Sequence, residues 1–103
     1  MNIIIFITCA NKKEAKLIAR HLVAGRLVAC VNILDKVESI FWWQKRIDSV
    51  REVLLITKSK KSLIQKIINE VKSLHSYQIP EVIALPIVAG NRDYINWMNE
   101  SIR

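Results

Sequence analysis

Residues 26–58, RLVACVNILDKVESIFWWQKRIDSVREVLLITK, contain neither proline nor glycine, and their reading decides the fold. Alternation of period two runs through Val28, Cys30 and Asn32 and resumes through Val37, Ser39 and Phe41, with a bend expected at Asp35-Lys36. After Trp43, the polar Gln44-Lys45-Arg46 is the one turn-like interruption, so the stretch reads as two long strands joined in a hairpin. Strands of this length exceed the usual run of about five or six residues. Two helices cannot cover their far ends, so the hairpin is expected to protrude and to find its partner on another subunit.

Upstream, Ile3 to Thr8 is continuously apolar and rich in β-branched residues, which suits a central strand ending at Cys9-Ala10. Asn11 and Glu14 form a capping-box pattern. A helix follows, with Ala15, Ile18, Ala19, Leu22 and Val23 on one stripe and Gly25 expected as its left-handed stop. Downstream, Ser59 or Ser62 is expected to cap a second helix bearing the stripe Ile64, Ile67, Ile68, Val71 and Leu74. Val82 to Val88 reads as a fourth strand, and Pro86 places it at an edge or a bulge. Gly90 then leads into a short helix from about Arg92 to Glu100, with Tyr94 and Trp97 expected on its buried face. The order is an α+β arrangement, a ferredoxin-like β-α-β-β-α-β sandwich with a terminal helix, in one domain over residues 1–103.

With 103 residues, 51% of them hydrophobic, the chain has enough apolar matter for one core and too much for disorder. Sixteen Lys and Arg against nine Asp and Glu give +7, which raises the question of acidic partners. Lys12, Lys16 and Arg20 line the outer face of the first helix, and the glycine-aromatic motif by which a sheet of this kind stacks RNA bases is missing. Nucleic-acid binding is therefore not expected. Cys9 and Cys30 form no C-x-x-C pair and would make a thin disulfide framework, so they are read as reduced and the chain as cytoplasmic. Ile3 to Ile7 lacks the basic lead and cleavage site of a signal peptide, and no apolar run approaches the roughly 20 residues that span a bilayer. No membrane partner is expected. There is no Gly-rich phosphate loop, no Ser-His-Asp set and no H-E-x-x-H, and an enzyme is not the reading. Cys9 is the sole candidate nucleophile, with His75 its only base.

Several strings carry more than periodicity: Arg26-Leu27-Val28-Ala29-Cys30-Val31-Asn32, then Trp43, Glu52-Val53-Leu54-Leu55-Ile56-Thr57-Lys58, Tyr77-Gln78-Ile79-Pro80-Glu81-Val82-Ile83 and Tyr94-Ile95-Asn96-Trp97. In order, spacing and total length they resemble, over essentially the whole chain, the divalent-cation tolerance family CutA. The resemblance implies a ferredoxin-like homotrimer with strand pairing between subunits, akin to the PII signalling architecture. It also implies a role in metal tolerance, with copper the metal most often linked to it. The chain departs from the family pattern at Ser76, Phe41 and Lys45, which stand where a proline, a tyrosine and the hairpin glycine are usual. Among the family's proposed copper ligands, Cys9 lies near the cysteine position and His75 matches the second histidine, while Leu74 replaces the first.

Cys9 and His75 are the only soft-ligand pair, a thiolate and an imidazole suited to Cu(II), Zn(II) or another divalent cation. The competing reading makes Cys9 a small buried hydrophobe and His75 a helix-terminal histidine. Cys30, inside an apolar strand, reads as structural. Alternation puts Glu52 and Lys58 on one face at opposite ends of an apolar patch, and Glu81 is placed to join them. The resemblance gathers these charges with Trp43, Tyr77 and Tyr94 in a cleft between subunits, a place for a small anionic effector, with no organic cofactor evident. The competing reading is an ion-pair network that fixes subunit register. Trp42 and Trp43 put one indole on each face of the hairpin, where the default is core or interface anchoring. An unidentified protein partner is the remaining expectation.

Overall fold

The computed structural model describes residues Met1–Arg103. Strand β1 (Asn2–Cys9) leads to helix α1 (Lys12–Ala24), then to the hairpin of β2 (Cys30–Trp43) and β3 (Arg46–Lys60). A 3₁₀ turn (Lys61–Leu63) feeds α2 (Ile64–Leu74), followed by β4 (Val82–Pro86) and α3 (Arg92–Ser101). The strands form one sheet in the order β2-β3-β1-β4, with every adjacent pair antiparallel. Pro86 ends β4, which lies at the sheet edge and pairs only with β1, where its missing N–H does no harm.

The helices cover one face of this sheet. Ile3, Ile5, Ile7 and Cys9 of β1 and Val53 and Leu55 of β3 point into it and pack with Ile18 and Leu22 of α1, Ile67 and Val71 of α2, and Met98 of α3. Two hydroxyls are buried there and are satisfied: Thr57 Oγ1 donates to the Ile5 carbonyl at 3.3 Å and Ser59 Oγ to that of Leu27 at 2.5 Å. Ser59 is thus a strand residue and Ser62 caps nothing either, because the 3₁₀ turn winds directly into α2 without a side-chain cap. The opposite face carries Phe6, Leu54 and Ile56 half-buried and Leu34, Ile83 and Leu85 exposed, with no helix against them.

Where α1 ends, Gly25 is right-handed (φ −78°) and Arg26 takes the left-handed position expected of it (φ 55°). Leu27 N donates to Leu22 O and Arg26 N to Val23 O, each at 3.0 Å, the two bonds of a Schellman stop displaced by one residue. Strand β2 accordingly starts at Cys30 rather than at Arg26.

The hairpin projects and stretches the molecule to 44 Å by 25 Å by 23 Å. Its bend is a bulge: Leu34 faces Leu54 and Val37 faces Glu52, so Asp35 and Lys36 oppose Val53 alone, with Lys36 at φ 62°. The turn is tighter than Gln44-Lys45-Arg46, since Trp43 pairs with Arg46 and only Gln44 (φ 49°) and Lys45 (φ 65°) remain between the strands. Two left-handed central residues make a type I′ hairpin without glycine. On α3, the buried side belongs to Met98, with Ile95 packed beside it; Tyr94 and Trp97 are each 44% exposed, stacked on one another at 5.4 Å. Three-residue spacing named one stripe of α3 correctly but assigned the wrong side to the core.

Candidate functional site

Two groups of side chains meet at the end of the sheet where β1 stops. Behind it, Cys9, Glu14 and His75 bring their donor atoms within 4.8 Å of one another. Cys9 is the last residue of β1, Glu14 sits in the first turn of α1, and His75 caps the C-terminus of α2, its N–H on Val71 O. The capping box accounts for Glu14: Asn11 Oδ1 accepts from Glu14 N at 2.8 Å, and Glu14 Oε2 reaches back to Ala10 N at 2.9 Å. Its other oxygen accepts from Ser76 N at 2.7 Å and so ties the start of α1 to the chain leaving α2.

The tautomer of His75 follows from its neighbours. Tyr77 N can only donate, so Nδ1 accepts from it at 3.0 Å, and Nε2 carries the proton given to Thr8 O at 2.6 Å. Burial, reinforced by the Glu14 and Glu52 carboxylates, pushes the Cys9 thiol up to about 12. Burial also opposes ionisation of Glu14, but the hydrogen bonds from Ala10 and Ser76, together with nearby His75, outweigh it and hold its pKa below the ordinary carboxylate value. The set fits a borderline or soft divalent metal in kind, with sulfur, imidazole and carboxylate donors. Loading it requires Cys9 to lose its proton and His75 to exchange a backbone partner for the ion.

In front lies a cleft of about 730 Å³ between the hairpin and the segment after α2. Phe41, Trp43, Asp48 and Glu52 line it from the hairpin, and Tyr77 and Glu81 from the other side. Glu52 is 7% exposed, and its Oε2 accepts from Tyr77 Oη at 2.8 Å. Burial, this hydrogen bond and the Glu52 charge raise the Tyr77 phenol well above its usual range. Burial and Glu52 likewise raise the Glu81 carboxyl.

Within one chain, Trp43, Glu52, Tyr77 and Glu81 lie around this cleft, while Lys58 and Tyr94 lie at the other end of the sheet. Lys58 faces Cys30 across the hairpin and bonds Asn32, six residues along β3 from Glu52, a run of about 20 Å. Tyr94 Oη lies 3.5 Å from Cys30 Sγ, at the same distant end. Hence Cys30 opens β2 half-buried beside α3 rather than inside an apolar strand. Within one chain the cleft lining contains no Lys, Arg or His. Glu14 was read from the sequence only as a capping residue, and Asp48 was not singled out. Asp48 had a visible signal, since alternation along β3 puts it on the face of Glu52; Glu14 had none, being separated from His75 by most of the chain.

The CutA1 divalent ion tolerance protein family matches residues 3–101. The chain is 40% identical to the chloroplastic CutA 1 of Oryza sativa over 102 residues, 99% of this chain and 58% of that protein. It is 41% identical to the divalent-cation tolerance protein CutA of Thermus thermophilus over 101 residues, 98% of each. The solved Thermus structure superposes with a TM-score of 0.98 at 40% identity over the full length of both chains. A structure from Archaeoglobus fulgidus, described as a periplasmic divalent cation tolerance protein, superposes at 0.96 with 35% identity, covering 100% of both chains. The chain spans little more than half the length of its plant and mammalian relatives, 58% of the rice protein and 54% of the mouse protein. No helix is long and apolar enough to cross a membrane. Hairpin, sheet order and terminal helix agree with those solved folds over the whole length, and this chain belongs to the CutA1 family of divalent ion tolerance proteins.

Proposed function

We propose that this chain serves divalent-cation tolerance by holding a divalent cation, copper before other first-row ions, on Cys9, His75 and Glu14. The observation that carries the reading is the convergence of their three donor atoms within 4.8 Å. Bound there, the ion would be sequestered in a buried pocket rather than used as a catalyst, and no enzymatic step is assigned. Copper is favoured because affinity for nitrogen and sulfur donors peaks there in the divalent series. Two free cysteines suit a reducing, cytoplasmic setting.

The same reading makes the protein a homotrimer of ferredoxin-like subunits. The β-α-β-β-α-β order and the sheet order β2-β3-β1-β4 support the fold name. Support for assembly comes from the uncovered sheet face, where Phe6, Leu54, Ile56, Leu34, Ile83 and Leu85 form an apolar surface continuous with the projecting hairpin. Native mass spectrometry of the reduced protein, titrated with Cu(II) and then Zn(II), tests both statements. Three chains with three ions, the ions lost in Cys9→Ser and His75→Ala, is the expected result. Unchanged metal affinity in both variants refutes the ligand set, and a monomeric mass refutes the assembly.

A further inference from the structure

The Cys9, Glu14 and His75 pocket is built within one chain, with Cys9 and the imidazole closed to solvent, so its contacts do not depend on what covers the hairpin. His75 has two ring nitrogens to offer an ion, and its hydrogen bonds decide between them. Nδ1 accepts from the Tyr77 N–H at 3.0 Å, and Nε2 donates its proton to Thr8 O at 2.6 Å. Ligation through Nε2 moves the proton to Nδ1, where it meets the Tyr77 N–H donor to donor, so the Thr8 bond is lost and the Tyr77 contact is strained. Ligation through Nδ1 leaves the proton on Nε2 and the Thr8 bond in place, and gives up the Tyr77 bond alone. One broken hydrogen bond costs less than two. Position agrees, since Nδ1 stands 3.8 Å from Glu14 Oε2. Thr8 O is then the backbone carbonyl on which a ligating histidine commonly rests its other N–H.

The loss falls on one segment. Residues 75–81, between α2 and β4, lie in neither helix nor strand. Two successive backbone donors tie this segment to the pocket, Ser76 N on Glu14 Oε1 at 2.7 Å and Tyr77 N on His75 Nδ1. The Glu14 carboxylate has lone pairs enough to keep Ser76 while ligating, whereas Nδ1 has a single lone pair and cannot keep Tyr77. At its other end Tyr77 is rooted in the hairpin, its Oη donating to Glu52 Oε2 at 2.8 Å.

We propose, resting on the metal reading above, that His75 ligates through Nδ1 and releases the Tyr77 N–H, so that Tyr77 carries the metal state of a buried pocket to the hairpin. Cys9 yields its thiol proton to solvent on loading, and the imidazole keeps the proton it has.

Long-range ¹H–¹⁵N spectra of the reduced, assembled protein titrated with Zn(II), which has no redox chemistry with a thiol, are the test. His21 pairs with Glu70 at the surface, 3.8 Å away, and His21→Gln leaves His75 as the single imidazole to assign. On loading, the Nδ1 signal of His75 shifts while Nε2 keeps its proton. Exchange of the Tyr77 amide with solvent rises about twofold to tenfold, the net worth of one neutral hydrogen bond, and that of the Ser76 amide does not. Cys9→Ser takes up no zinc and shows neither change. Zinc bound through Nε2, or bound with the Tyr77 amide unaltered, overturns the inference and leaves the three-ligand set standing. Failure of wild type to bind zinc or copper overturns the ligand set and the inference with it.

Discussion

Lys45→Gly will stabilise the protein, a reversal of the usual effect of glycine in a hairpin strand. Both residues of the turn are left-handed, Gln44 at φ 49° and Lys45 at φ 65°, the type I′ geometry that matches the twist of the two strands it joins. Left-handed backbone costs an L-residue about 1–2 kcal/mol through the clash of Cβ with the following carbonyl. Glycine removes that strain, but it also frees the unfolded chain, which returns about 0.4–1 kcal/mol. The balance is a gain of roughly 0.5–1 kcal/mol per chain, or about 3–6 °C in Tm for a domain of this size. Urea denaturation at one fixed protein concentration measures it, since the midpoint of an oligomer depends on concentration. Ser49→Gly is the matched control: it sits in the extended, exposed part of β3, and glycine there should lose about 0.5–1 kcal/mol. Opposite signs at positions 45 and 49 are the expected outcome. A Lys45→Gly protein no more stable than wild type would show that the turn relaxes without strain and would refute the reasoning.

Three further outcomes follow from the site. Cys9 is fully buried with its thiol raised to about 12, so iodoacetamide will leave it unmodified in the native protein and alkylate it only after denaturation, as peptide mass mapping will show. Tyr77→Phe removes the only hydrogen bond to a carboxylate that is 7% exposed, and should lower stability by about 1–3 kcal/mol in urea titrations. Glu14 and Glu81 titrate with opposite signs. The pKa of Glu14 is lowered by folding, so its contribution is present above the ordinary carboxylate pKa and fades as pH falls through the folded value. That of Glu81 is raised, so stability is lost as pH climbs from the unfolded to the folded value. Without bound ligand, Glu81→Gln therefore unfolds at higher urea than wild type at pH 7, and the advantage vanishes at pH 4.

Elements governed by local chemistry were legible in the sequence. The unbroken 26–58 stretch could only be a long hairpin, and Pro86 marked the sheet edge before any partner strand was known. Where two neighbours competed for one role, the pattern was ambiguous. Gly25 was the obvious left-handed stop, but the Schellman bonds are set by Leu22 and Leu27 packing into the core, and that packing places Arg26 at the turn. Ser59 resembled a helix cap because its neighbours are polar, whereas its hydroxyl is buried against Leu27 O.

The candidate site shows what alternation conveys and what it omits. It put Glu52 and Lys58 correctly on one face, while the expectation of a cleft between subunits for a small anion came from the family resemblance. A face is not a neighbourhood: six residues of extended chain cover about 20 Å, so the lysine lies with Asn32 and Cys30 at the far end of the sheet. Glu52, at the near end, is held by Tyr77 on one oxygen and lines the cleft. Tyr77 also donates its backbone N–H to His75, so one residue anchors both the cleft and the Cys9 pocket. An ion that draws His75 from Thr8 must therefore strain or keep the Tyr77 contact, and the copper affinity of Tyr77→Phe against wild type measures which.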